Sequence, residues 1–155
     1  MRKTLKILKP LLMIAVFVGG LRLILSIAHA PRAVVYLSSL TAVEMAGMLY
    51  LPFRIANERE LRYLHLWAAN LILFGVCQSL TILGLAYTYL SHTPTLYHET
   101  ERLRNFLGFD PTPFQHVGMH VLNWMIIAPA IATWIIGAPI VYVARRRTAR
   151  AAGRS

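Results

Sequence analysis

A single cysteine, Cys77, and only six acidic residues stand in a chain of 155. One cysteine excludes an intrachain disulfide, a CxxC redox pair and the cysteine spacings of structural zinc. Charged residues amount to 14%, well below the roughly 25% of a soluble domain. There is no Gly-x-Ser-x-Gly elbow, no His-Glu-x-x-His pair and no Walker loop, which argues against the common soluble hydrolase and nucleotide chemistries. Internal repeats and low-complexity tracts are absent as well.

What the chain does have is apolar length. Hydrophobic residues make up 57% of it, and they gather in runs at about 11–30, 34–53, 64–90 and 117–144. Each run reaches the roughly 20 residues that cross a hydrocarbon core of about 30 Å. The expected fold is an all-α integral membrane protein, a single four-transmembrane-helix bundle occupying 1–155.

Basic residues orient it. Arg2, Lys3, Lys6 and Lys9 precede the first run, Arg54, Arg59 and Arg62 separate the second from the third, and Arg145, Arg146, Arg147, Arg150 and Arg154 follow the fourth. Only Arg32, Arg102 and Arg104 fall in the alternate loops, with Arg22 inside a run. The positive-inside rule then puts both termini in the cytoplasm, in a multi-pass protein of a bacterial-type cytoplasmic (inner) membrane. The net charge of +10 is explained by these flanks, so the expected partner is the lipid bilayer and not nucleic acid. Ala28-His29-Ala30 resembles a signal cleavage site, but Pro31 would follow the cut and Arg22 interrupts the apolar stretch, so the first run is expected to stay as a span.

Local signals shape the connections. Asn57 with Glu60 reads as a capping pair that starts the third helix near Glu58. In the outer loop between the third and fourth spans, Leu96, Leu103 and Leu107 recur opposite His98, Glu101, Arg102 and Asn105, which predicts a short amphipathic surface helix. Thr112, Pro113 and Gln115 supply a cap, a first-turn proline and a reciprocal cap for the fourth helix. Pro129 and Pro139 are expected to kink it. Tyr36, Tyr87, Tyr89 and Trp124 read as belt residues at the outer interface, and His65 beside Trp67 as an anchor at the inner one.

Each run also carries one polar stripe, since a helix turns about 100° per residue. The stripes are Gly19, Arg22, Ser26 and His29; Thr41, Glu44 and Gly47; Gln78, Thr81, Thr88 and His92; and His116, His120 and Asn123. At a rise of about 1.5 Å per residue, Arg22, Gln78 and Asn123 come out roughly 10 Å deep and Glu44 about 15 Å deep. The expectation is an intramembrane ion pair between Arg22 and Glu44 beside a polar layer of Gln78 and Asn123. The pair neutralises two charges that would each cost about 2.5–3.5 kcal/mol alone. A structural role and a proton relay with Glu44 titrating are both open at this stage.

Five of the six histidines fall on the outer side. His116 and His120, four apart, project from one helix face at about 6 Å, a spacing suited to one metal ion. His29, His92, His98, Glu99, Glu101 and Asp110 are candidates to complete a transition-metal site. A b-type haem between His29 or His92 and His120 is the second cofactor reading. The competing functional class is a non-catalytic accessory or assembly subunit. There, Gly75, Gly84, Gly137 and Ala138 would allow close contact with a membrane protein partner or a second copy in a homo-oligomer.

Overall fold

The computed structural model describes residues 2–92, 108 and 111–152, and among them every regular element is helical. The elements are α1 (Arg2–Ile27), α2 (Arg32–Leu37), α3 (Leu40–Ala56), α4 (Tyr63–Ser91), α5 (Pro113–Met119), π1 (His120–Ile127), α6 (Ala128–Ala130), π2 (Ile131–Gly137) and α7 (Ala138–Ala152). Elements α5 to α7 form one uninterrupted helix. Four stretches are long and apolar enough to cross a membrane: Arg2–Ile27, Ala33–Ala56, Tyr63–Ser91 and Pro113–Arg150. The outer-loop surface helix expected around Leu96, Leu103 and Leu107 lies outside the described residues.

The second apolar run is not one helix. Ser38 leaves the helical region at φ −88°, ψ 60°, and Ser39 caps a new helix by accepting from the Ala42 N–H at 3.4 Å. A serine that can satisfy a first-turn N–H competes with helix continuation, even in an apolar run. The connection after α3 also departs from expectation. Asn57 closes α3, and α4 begins at Tyr63. Its capping group is His65, whose Nδ1 accepts from the Arg62 N–H at 3.0 Å. The fourth helix starts as its sequence implies: Thr112 Oγ1 accepts from Gln115 N–H at 3.3 Å, and Gln115 Oε1 from Thr112 N–H at 2.9 Å.

The two prolines widen the fourth helix. Ala128 N–H bonds to the Asn123 carbonyl and Ala138 N–H to that of Thr133, both i→i−5 contacts. Each proline follows one of these residues. A proline lacks an N–H and crowds the turn before it, and a run of i→i+5 bonds is a way to accommodate that.

Helices α3 and α4 pack against each other and form the shared middle of the bundle, with α1 against both and the fourth helix on their other side. The apolar core belongs to the end that holds the termini. Leu8, Leu11 and Ala15 of α1 meet Leu51 and Ile55 of α3, Leu66, Ala69 and Leu73 of α4 and Val141 of α7. Close approach draws on glycine at three points, one of them Gly19, where a Cβ would lie 2.9 Å from Leu80 Cδ1. A Cβ on Gly47 would lie 2.2 Å from Leu73 Cδ2, and one on Gly137 would lie 2.7 Å from Leu66 Cδ2. Gly137 is therefore used within the chain, whereas Gly75 faces open space.

At the same end, Arg145 ties the layers together. Its Nη2 donates to the carbonyls of Ile55 and Glu58, each at 3.2 Å, and also to that of Leu61. These carbonyls lie at the end of α3 and in the following turn, and those of Ile55 and Glu58 also accept backbone N–H bonds from Glu58 and Leu61. Lys3 Nζ reaches Glu60 Oε2 at 2.8 Å on the surface, and this lysine holds the Glu60 carboxyl below its ordinary range.

Candidate functional site

At the end away from the termini, polar side chains form one connected chain. Gln78 of α4 stands in its middle. Its Nε2 donates to Glu44 Oε1 of α3 at 2.6 Å, and its Oε1 lies 2.8 Å from Nδ1 of His120. An amide oxygen can only accept, so donor–acceptor chemistry assigns the imidazole proton to Nδ1 and a lone pair to Nε2. His116, 3% exposed, lies with its ring centroid 5.3 Å from that of His120 and the planes tilted by 31°. Nδ1 of His116 is 3.4 Å from the Tyr89 hydroxyl.

Burial makes these contacts matter. Glu44 is 1% exposed and Gln78 4%, and Glu44 Oε2 has no hydrogen-bond partner among the described residues. Buried polar groups without water must be satisfied by one another. The hydroxyls of Thr81 and Thr88 meet this need within α4, donating to the carbonyls of Cys77 at 3.1 Å and Gly84 at 2.9 Å.

The candidates read from sequence separate into two groups. Glu44, Gln78, His116 and His120 come together. Glu44 takes its hydrogen bond from Gln78, where the depth count had paired it with Arg22. That count assumed one unbroken helix through 34–53, and the break at Ser38 and Ser39 removes its basis. Arg22 is half-buried on α1 and within electrostatic reach of His120.

His29 and His92 do not join. Both are exposed just past the last turns of α1 and α4, with φ of 52° and 53°. Helix phase, which pointed them inward, no longer governs a residue beyond the helix end. Asn123 is exposed too. The widened turn of π1 advances each residue by less than the α-helical angle, so Asn123 rotates off the face that His120 occupies. Thr41 of the second stripe is also exposed. No group of three His, Cys, Asp or Glu side chains converges among the described residues. His98, Glu99, Glu101 and Asp110 lie outside them.

No family model, curated protein or solved structure matches this chain.

Three contributors escaped the sequence reading. Asn70 Nδ2 donates to Thr133 Oγ1 at 2.9 Å, a fully buried bond between α4 and π2. Carrying the Gln78 stripe back two turns reaches Asn70, so helix phase contained that signal. Tyr89, read as a belt residue, turns its hydroxyl to His116 instead. Arg145, read as one of several orientation charges, is the one that caps α3. Nothing in the sequence distinguishes it from Arg146 and Arg147.

Proposed function

We propose that this chain is an integral protein of a bacterial-type cytoplasmic membrane, with both termini in the cytoplasm. We further propose that His116 and His120 bind a transition-metal ion at its outer end. Two features support the membrane reading. Large apolar side chains face outward along the helices, among them Phe17 and Ile24 on α1, Met45 on α3, Leu83 on α4 and Ile135 on π2. Soluble monomers rarely expose such continuous apolar surface. The basic flanks fall at one end, as the positive-inside rule requires of a cytoplasmic side.

One observation carries the metal reading: the 2.8 Å contact between His120 Nδ1 and Gln78 Oε1. A metal-binding histidine commonly donates its other ring N–H to an oxygen, which orients the ring and raises the basicity of the ligating nitrogen. Glu44 holds the Gln78 amide in turn, so His120 has a partner behind its partner. Neutral imidazoles suit zinc, copper, nickel and iron, and water completes the coordination of a two-histidine site. Haem b is less favoured. Two axial rings must face each other across the cofactor, and His116 and His120 share one helix while His29 and His92 are exposed at helix ends.

The test is purification without chelator, followed by an absorption spectrum and titration with Zn²⁺ and Cu²⁺. Stoichiometric binding that disappears in His116→Ala plus His120→Ala supports the site. A Soret band would favour haem, and metal-free protein that retains a fixed partner would favour an accessory subunit.

A further inference from the structure

We propose that Glu44 opens and closes the outer cation site at a distance, by setting through Gln78 which nitrogen of His120 carries the ring proton. The switch is a property of the hydrogen-bond chain, and its role in cation binding rests on the metal reading above.

The chemistry of the three side chains leaves few alternatives. An ionised Glu44 can only accept, so the Gln78 amide must turn Nε2 toward it and Oε1 toward His120. His120 must then donate from Nδ1, and Nε2 keeps the lone pair a cation needs. The contacts of 2.6 Å and 2.8 Å describe this arrangement. A protonated Glu44 adds an O–H donor and makes a second arrangement available. The amide turns over, Oε1 accepts from the acid, and Nε2 donates to Nδ1 of His120. The ring proton then resides on Nε2, where it blocks a cation.

Both arrangements keep both hydrogen bonds. They differ by one proton on Glu44, exchanged with solvent, and by the position of the single ring proton on a neutral His120. No other bond changes. The burial of Glu44 and Gln78 makes the two arrangements discrete, because neither side chain can settle for water. The polar chain leads from Glu44 through Gln78 to His120, while Leu73 and Cys77 on the neighbouring stretch of α4 belong to the apolar core, so the proposed path of its proton runs toward the outer end.

The charged and titratable groups around Glu44 are few. Cys77 of α4 faces it directly, and His120 of π1 reaches it by way of Gln78, with Arg22 of α1 and His116 of α5 acting on His120. Segment π2 has no titratable side chain, and on α7 Tyr142 and the arginines are at the far end.

The experiment uses protein labelled with ¹⁵N-histidine in lipid nanodiscs, followed by ¹⁵N NMR from about pH 5 to pH 9, with His120→Ala to assign the signal. In the wild type, neutral His120 should change from Nε2–H to Nδ1–H as pH rises. In Glu44→Gln its tautomer should not depend on pH. Zn²⁺ should bind Glu44→Gln about 10- to 100-fold more weakly at the upper end of the range. The proposal is overturned if wild-type His120 keeps one tautomer throughout, a result that does not require Glu44→Gln to fold, or if Glu44→Gln switches as the wild type does. A switching ring in a protein that binds no Zn²⁺ upholds the relay and sinks the metal reading. Zn²⁺ binding with an unresponsive ring does the reverse.

Discussion

The two ends of this bundle are built from different materials. Toward the termini, α1, α3, α4 and α7 bury leucines, isoleucine, valine and alanine against one another, with glycines drawing the helices close. There the one buried polar bond between side chains, among the described residues, is that of Asn70 with Thr133, whereas the opposite end buries a carboxylate, an amide, a threonine and an imidazole. Apolar side chains gain nothing directional from their neighbours, whereas a buried polar group demands a partner at a given angle. The first end can therefore be dense without being specific. The second must be specific. A mobile cation or proton is better handled where side chains have two good hydrogen-bonding arrangements than where they have one good packing.

The contrast can be broken by substitution. The largest effect should come from Leu66→Ala, which empties part of the core and should cost about 2–5 kcal/mol in unfolding from mixed micelles. Leu122→Ala, on an exposed position of π1, should stay within about 0.5 kcal/mol. Equal costs would mean that the core is not concentrated where it is described.

Next in size is Arg145→Ala. It removes the donor shared by three carbonyls and should cost about 1.5–3 kcal/mol. Arg147→Ala, its exposed neighbour, should cost no more than about 0.5 kcal/mol. A double-mutant cycle on Asn70→Leu and Thr133→Val should give a smaller coupling of about 0.6 kcal/mol, up to about 1.7. A coupling near zero would make this bond an incidental contact.

The smallest effect is a pH dependence at the surface. Lys3 lowers the folded-state value of Glu60 beneath its unfolded one. The contribution is therefore present above the ordinary carboxylate range and is lost as pH falls through the lowered value. Both groups are exposed, so solvent screens the pair strongly. Glu60→Gln should lower the melting temperature slightly at neutral pH and leave it unchanged in acid, which flattens the acid limb of the curve.

Much of this architecture was legible in composition and periodicity. Four apolar runs became four helical stretches of membrane-spanning length, the second broken at Ser38 and Ser39, because hydropathy over about 20 residues is a strong and additive signal. The Thr112–Gln115 cap was legible too, since it depends on three adjacent residue types. Of the polar residues, phase located Glu44, Gln78, His116 and His120, which sit within regular α-turns or at their edge. It failed for His29 and His92, where the helix had ended, and for Asn123, where the turn had widened. The Asn57 and Glu60 cap was a correct pattern with a stronger competitor, since His65 sits nearer the apolar run and caps it. Pairings that depend on which helix lies beside which, such as Asn70 with Thr133, have no signature along a single strand of sequence.

The two widened stretches of the fourth helix give it two pitches, like a screw cut with coarse and fine thread. A stretch bonded i→i+5 climbs less per residue than one bonded i→i+4. With Arg145 clamped to the end of α3, a change of pitch is passed to the other end of the screw. Tightening either stretch into an α-helix would lengthen and rotate the shaft, carrying His116 and His120 up and around, away from Gln78. The height and bearing of the histidines are thus set by thread pitch many residues below them, at Pro129 and Pro139.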